Sequence, residues 1–138
     1  SMQEKSLPLT GTGDETRDFT YVLDLVQGLI KAAYYEDAIG QAFNLASGKE
    51  TKIKDMISMV NNTTGNTSPI TEYPPRKWDT KKRLLASIEL AGNLIDYKPI
   101  ISFEDGLKAN MEWFKLNWDK IQNVADFPIG MSSAVRRK

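Results

Sequence analysis

Cysteine and histidine are both absent from the 138 residues. Without cysteine there is no disulfide, thiolate nucleophile, iron–sulfur cluster or thiolate zinc site. Without histidine there is no Ser–His or Cys–His pair, no imidazole-ligated metal, and no side chain that titrates near pH 7 at its ordinary pKa. A hydrolase triad is excluded, and any chemistry must use carboxylates, Lys, Tyr, Ser, Thr or Arg. Net charge is lacking as well. Eighteen Lys+Arg stand against 18 Asp+Glu, so no bulk field draws the chain to nucleic acid or to an anionic membrane. Apolar runs are only a few residues long, too short to span a bilayer. The opening SMQEKSLPLTG has no apolar stretch of signal-peptide type. The expectation is a cytoplasmic protein.

What is present is ordinary for a globular chain: 41% hydrophobic and 26% charged residues, enough for one domain with a real core. Residues 1–16 read as loop, with Ser1-Met2 in the manner of a cloning scar and Gly11-Thr12-Gly13-Asp14 as turn chemistry. A long polar start suggests that the chain begins inside something larger. Residues 1–121 are taken as the domain, with 1–6 as scar and leading loop, and 122–138 as a tail.

From Asp18 to Tyr21 the alternation is strand-like, and Val22, Leu25, Val26, Leu29, Ile30 and Ala33 then fall at helical spacing. Residues 42–46 read as a buried strand closed by Ser47-Gly48. Ile53, Met56, Ile57 and Val60 make a second helical stripe, stopped by the polar run from Asn61. Residues 70–73 are extended. A third helix opens at Ser87 as N-cap and buries Ile88, Ala91, Leu94 and Ile95. The fourth is the clearest: Ser102 and Asp105 have capping-box form, and Phe103, Leu107, Met111, Phe114, Trp118 and Ile121 share one face. The pattern predicts a small α/β unit, a few short strands with about four helices. Such a thin sheet needs something else to pack on.

Several motifs are decoys. Sequons at Asn61, Asn62 and Asn66 share one polar loop and read as a solvated turn. Gly11-Thr12-Gly13-Asp14-Glu15-Thr16 starts like a dinucleotide fingerprint, but Thr16 stands at the third glycine and Asp14-Glu15 would repel a pyrophosphate. Tyr73 and Lys77 have Tyr-x-x-x-Lys spacing, yet Pro74-Pro75 break the helix that would bring them to one face. Arginines beside turns remain: Arg17 after the Gly-rich loop, and Arg76 after Pro-Pro, trailed by Trp78, Asp79, Lys81, Lys82 and Arg83. Guanidinium forks suit phosphate and a carboxylate suits paired sugar hydroxyls. Charge alone favours surface ion pairs for the same residues.

The order of these pieces carries a resemblance. Gly11 to Leu25, reading GTGDETRDFTYVLDL, resembles the segment of extended short-chain dehydrogenase/reductases in which Gly-x-Gly precedes Thr-Arg-Asp-Phe and Val-x-Asp. Phe43-Asn44-Leu45-Ala46-Ser47-Gly48 is similar to that family's Phe-Asn-x-Gly-x-Gly, and Arg76-Lys77-Trp78-Asp79 to its Arg-x-x-Asp. Ala86-Ser87-Ile88-Glu89, residues 94–99, and Phe103-Glu104-Asp105-Gly106-Leu107 follow in the family's order, the whole match running from residue 7 to 121. Thr10 lies where relatives often carry a base-stacking aromatic, Ala46 replaces a glycine, and Ile95-Asp96 replaces Leu-Gly.

The resemblance is to the C-terminal part of the NAD-dependent nucleotide-sugar epimerases and dehydratases. It implies that Arg17 and Arg76 hold the diphosphate of an NDP-sugar, most plausibly a UDP-sugar, and that Asp79 takes the ribose hydroxyls. It also implies that NAD and the Tyr-x-x-x-Lys pair belong to a Rossmann half of the same protein, so that this chain alone is inactive and self-associates through uncovered surface. Two alternatives stay open. One is a non-catalytic, self-associating interaction module without a nucleotide ligand. The other, a nucleic-acid binder, is disfavoured by the neutral charge.

Overall fold

The apolar positions that make a helix of Val22–Tyr34 (α1) do not face the chain's own core. A computed structural model describes residues 1, 2, 4–78 and 80–124. In it the inward residues of α1 are Asp24 and Gly28, while Val22, Leu29 and Ile30 are 58%, 56% and 64% exposed. Asp24 is buried because its two carboxylate oxygens accept the backbone N–H groups of Ile100 (3.2 Å) and Ile101 (3.0 Å). A buried carboxylate is tolerable only when so satisfied. Gly28 is inward because the neighbouring chain passes too close for a side chain. A Cβ there would lie 2.8 Å from Leu45 and 2.9 Å from Tyr97.

Among the described residues, four short strands, four α-helices and a 3-10 turn at Glu36–Ala38 make up the α/β unit. Pro8–Thr10 (β1) pairs in parallel with Thr71–Tyr73 (β4), and Thr16–Arg17 (β2) pairs antiparallel with Thr51–Lys52 (β3). The strand near Asp18 thus lies earlier than the alternation predicts, and β1 falls in a segment that reads as loop. β1 has no pattern of its own to show, since its partner comes from the far side of α2. Residues 42–46 belong to no strand among the described residues, and the chain bends at Ala46. A strand is a relation to a neighbour, and none flanks them here.

Ile53–Thr64 (α2) runs through Asn61 and Asn62 instead of stopping at them, ending at Gly65 in the left-handed conformation (φ 68°). Helix-interior asparagines cost little, whereas Gly at the terminus caps without strain. Asn66 is buried rather than solvated. Its amide donates to the Lys5 carbonyl (3.1 Å) and to the Asn61 side chain (3.0 Å), fastening the leading segment to the end of α2. Glu89–Ile95 (α3) begins two residues after Ser87, with Ile88 at the cap and no side-chain cap bond. Phe103–Val124 (α4) starts as expected: Ser102 Oγ accepts the Asp105 N–H (3.0 Å) and donates to its carboxylate (2.5 Å). The helix carries past residue 121, and residues 125–138 of the tail lie outside the described residues.

The core is centred on Ala91, Ile95 and Tyr97, with Ala32, Ala38, Phe43, Leu45, Ile88 and Leu94 around them. Tyr97 is buried and donates its hydroxyl to the Ala46 carbonyl (3.1 Å). That bond holds the segment 42–46 against α3, under α1.

Candidate substrate-binding site

β2 is two residues long, yet it is fastened on every side, and it carries Arg17. On one side Thr16 and Arg17 pair with Lys52 and Thr51. On the other, Thr16 N–H donates to the Lys82 carbonyl (2.9 Å) and Leu84 N–H donates to the Thr16 carbonyl (3.2 Å), a parallel bridge to Arg83. The next residue, Asp18, is a knot. One oxygen accepts from the N–H (2.9 Å) and hydroxyl (2.5 Å) of Ser47, and the other accepts from the N–H groups of Gly48 (3.1 Å) and Ala86 (3.4 Å). Arg17 itself is half-buried, and one guanidinium N–H donates to the Thr16 carbonyl (2.8 Å).

Arg76 stands on the exposed loop 74–82. That loop leaves β4 at Tyr73, whose carbonyl accepts the Gly11 N–H (3.0 Å), and it arrives at Lys82 on Thr16. Both ends of the Arg76 loop are therefore tied to the two ends of the turn that precedes Arg17. Main-chain bonds at Tyr73 and Lys82 thus join the stretch bearing Arg76 to the turn and strand around Arg17, although β4 and β2 belong to different sheets. Asp79 lies outside the described residues.

The cations of the basic run differ in kind. Lys81 and Lys82 are exposed. Arg83 donates through Nε to both oxygens of Glu50 (2.8 and 2.9 Å), and Glu50 also accepts the Thr16 hydroxyl (2.6 Å). Those bonds, Arg83's first, hold the Glu50 carboxyl below the ordinary glutamate value, and the same pairing raises Arg83. The sequence places Arg83 in a basic run for which charge alone favours surface ion pairs, and it does not point to Glu50 as the partner. Nothing local marks a lone glutamate after Gly-Lys as a cross-link between distant segments.

The Gly-rich turn does not fit a dinucleotide. Gly11 and Gly13 take left-handed conformations (φ 88° and 77°), but the turn leads into β2 and not into a helix whose N-terminus would receive a pyrophosphate. Its carboxylates are already engaged. Asp14 meets Lys54 at 2.6 Å and Lys52 at 3.7 Å, the Lys54 contact chiefly depressing the Asp14 pKa and raising that of Lys54. Tyr73 ends a strand and Lys77 sits in a turn beyond the prolines, so they share no helix face. Among the described residues, neither the Gly-rich turn nor the pair Tyr73 and Lys77 has the geometry for NAD.

No protein-family model matches the chain. A UDP-glucuronate 4-epimerase of Thermodesulfobacterium geofontis is 32% identical over 126 residues, 88% of this chain and 37% of that protein. Among solved structures, the epimerase Mth375 of Methanothermobacter thermautotrophicus superposes with a TM-score of 0.87 at 43% identity, over 89% of this chain and 37% of that one. The Bordetella bronchiseptica enzyme WbmF, solved with NAD+ and UDP, superposes with a TM-score of 0.74 at 36% identity, over 88% and 35%. The chain spans about a third of the length of the curated relatives it matches, a coverage that fits a C-terminal portion. NAD is a cofactor of this family's solved members. In sequence and in fold the chain is homologous to part of the extended short-chain dehydrogenase/reductases, and the relatives it matches are UDP-sugar epimerases and decarboxylases.

Proposed function

We propose that the chain is the substrate-binding portion of an NAD-dependent nucleotide-sugar epimerase or dehydratase of the cytoplasm. In this reading Arg17 and Arg76 grip the diphosphate of a UDP-sugar, and Asp79 takes the ribose hydroxyls. The observation that carries it is the double anchoring of loop 74–82 on the segment bearing Arg17. Two guanidinium forks held on one edge, one on a fastened strand and one just after Pro74-Pro75, suit a bidentate, preorganised diphosphate site. The UDP bound by WbmF supports the ligand class.

NAD and the catalytic Tyr–Lys pair belong, on this reading, to a Rossmann half that packs on the exposed stripe of α1. Residues 42–46, whose Leu45 lies against Gly28 of that helix, support the same partner, because they belong to no strand among the described residues. The chain by itself turns over no nucleotide sugar.

Calorimetric titration with UDP tests the site. Arg17→Ala and Arg76→Ala each cost about 1.5–3 kcal/mol of binding, the scale of a hydrogen bond to a charged group. Arg→Lys recovers part of this, since lysine lacks the fork, and Asp79→Asn has a milder effect. Lys81→Ala is the control. If it weakens UDP as much as Arg76→Ala, the attraction is diffuse charge and the clamp does not exist.

A further inference from the structure

Glu50 makes more sense as part of the ligand site than as a surface ion pair. Its side chain is 24% exposed against 68% for Arg83, so the carboxylate is partly withdrawn and its bonds are less screened than those of a fully solvated pair. It lies just before β3 and reaches across to two residues from different stretches of chain. One is Thr16, which precedes Arg17 on β2; the other is Arg83, which ends the Arg76 loop. Main-chain bonds also join Thr16 to residues 82 and 84, but they run along a two-residue strand. A ladder that short is easily frayed. The carboxylate closes it from the side.

We propose that Glu50 is a positioning residue for the diphosphate: by holding Thr16 and Arg83 on one carboxylate, it sets where Arg76 stands relative to Arg17. The proposal rests on the reading of Arg17 and Arg76 given above. It makes a prediction whose sign opposes the electrostatic one. Glu50→Gln removes a negative charge beside an anionic ligand and releases the Arg83 guanidinium. If the local field were all that mattered, UDP would bind more tightly. If positioning matters, UDP binds more weakly despite the favourable change in charge.

The test is UDP titration of the chain and its variants by calorimetry, each checked by melting temperature. Glu50→Gln is expected to weaken UDP about 5- to 20-fold, the range of coupled neighbouring sites. In an Arg76→Ala background the same substitution should add less than about twofold, because its effect runs through Arg76. Thr16→Val, which removes only the hydroxyl that Glu50 accepts, should weaken UDP about two- to fivefold and serves if Glu50→Gln does not fold. Unchanged or tighter UDP binding in Glu50→Gln, or in Thr16→Val where that is the variant read, overturns the proposal. So does an undiminished effect in the Arg76→Ala background. Loss of UDP in Arg17→Ala together with normal binding in Glu50→Gln sinks only the role of Glu50. Normal binding in Arg17→Ala and Arg76→Ala, or none by the parent chain, sinks the site itself and this inference with it.

Discussion

Asp96 leaves α3 with φ 50°, a left-handed conformation at the helix C-terminus, in the position where the resembled family carries glycine. Aspartate is among the few residues that adopt it without severe strain. The departure noted in the sequence therefore changes the residue and keeps the exit. The exit matters because it delivers Tyr97 into the core, with its hydroxyl on the Ala46 carbonyl. Burial first, then the carboxylates of Asp24 and Asp18, pushes the Tyr97 hydroxyl above the ordinary tyrosine value. The folded chain thus holds this proton more tightly than the unfolded chain does. Its contribution is complete below pH about 10 and is lost as pH rises through the folded pKa. Urea unfolding between pH 8 and 11 should show stability falling over the upper part of that range. Tyr97→Phe should cost about 1–2 kcal/mol at pH 8, by orphaning the carbonyl, and flatten the alkaline fall. An equal alkaline fall in Tyr97→Phe would assign it to other groups.

At the scale of elements, periodicity located the helices and could not orient them. The stripe on α1 is real, but it points away from the core that the rest of the chain supplies, and the inward positions are an aspartate and a glycine. A single sequence reports that a face is apolar and not what covers it. The missing strand at residues 42–46 has the same cause, since ladder partners are not written in the segment that needs them. Of the candidate site, turns and a family resemblance pointed to Arg17 and Arg76. They did not point to Glu50 or to the knot at Asp18, because the partners there lie on distant stretches of chain. The inward glycine gives a test. Alanine is favoured over glycine in a helix by about 1 kcal/mol, yet a Cβ at position 28 meets Leu45 and Tyr97 at under 3.0 Å. Gly28→Ala should therefore destabilise the chain by about 1–2 kcal/mol, since overpacking outweighs propensity. Leu45→Ala should cost less in the Gly28→Ala background than in the parent, because it removes the atoms that the new Cβ meets. A Gly28→Ala chain as stable as its parent would mean that Leu45 and Tyr97 give way freely.

The whole molecule inherits a surface problem from α1. Val22, Leu25, Val26, Leu29 and Ile30 form a contiguous exposed stripe, with Tyr34 and Ile39 (84% and 78% exposed) beyond its end. Exposed apolar area of this kind drives association. The chain is expected to self-associate with rising concentration in light scattering, and a Leu29→Glu, Ile30→Glu double variant should be monomeric with an unchanged melting temperature. A parent chain that stays monomeric at high concentration would show that the stripe does not drive association. No helix among the described residues is long and apolar enough to cross a membrane.

The strand pairings also set an order of events in time. Pro8 waits for Thr71, and Thr16 waits first for Lys52 and then for Arg83. On a growing chain the leading strand emerges long before its partner exists, while α2 and α4 can form from local contacts as soon as they are made. Closing large loops around such late partners is the slow part of folding. The junction of β2 with residues 82–84 therefore closes only after α2 is complete and residue 84 has been made. A chain halted before that point carries Arg17 and Arg76 without the main-chain bonds that fix the far end of the segment bearing Arg76.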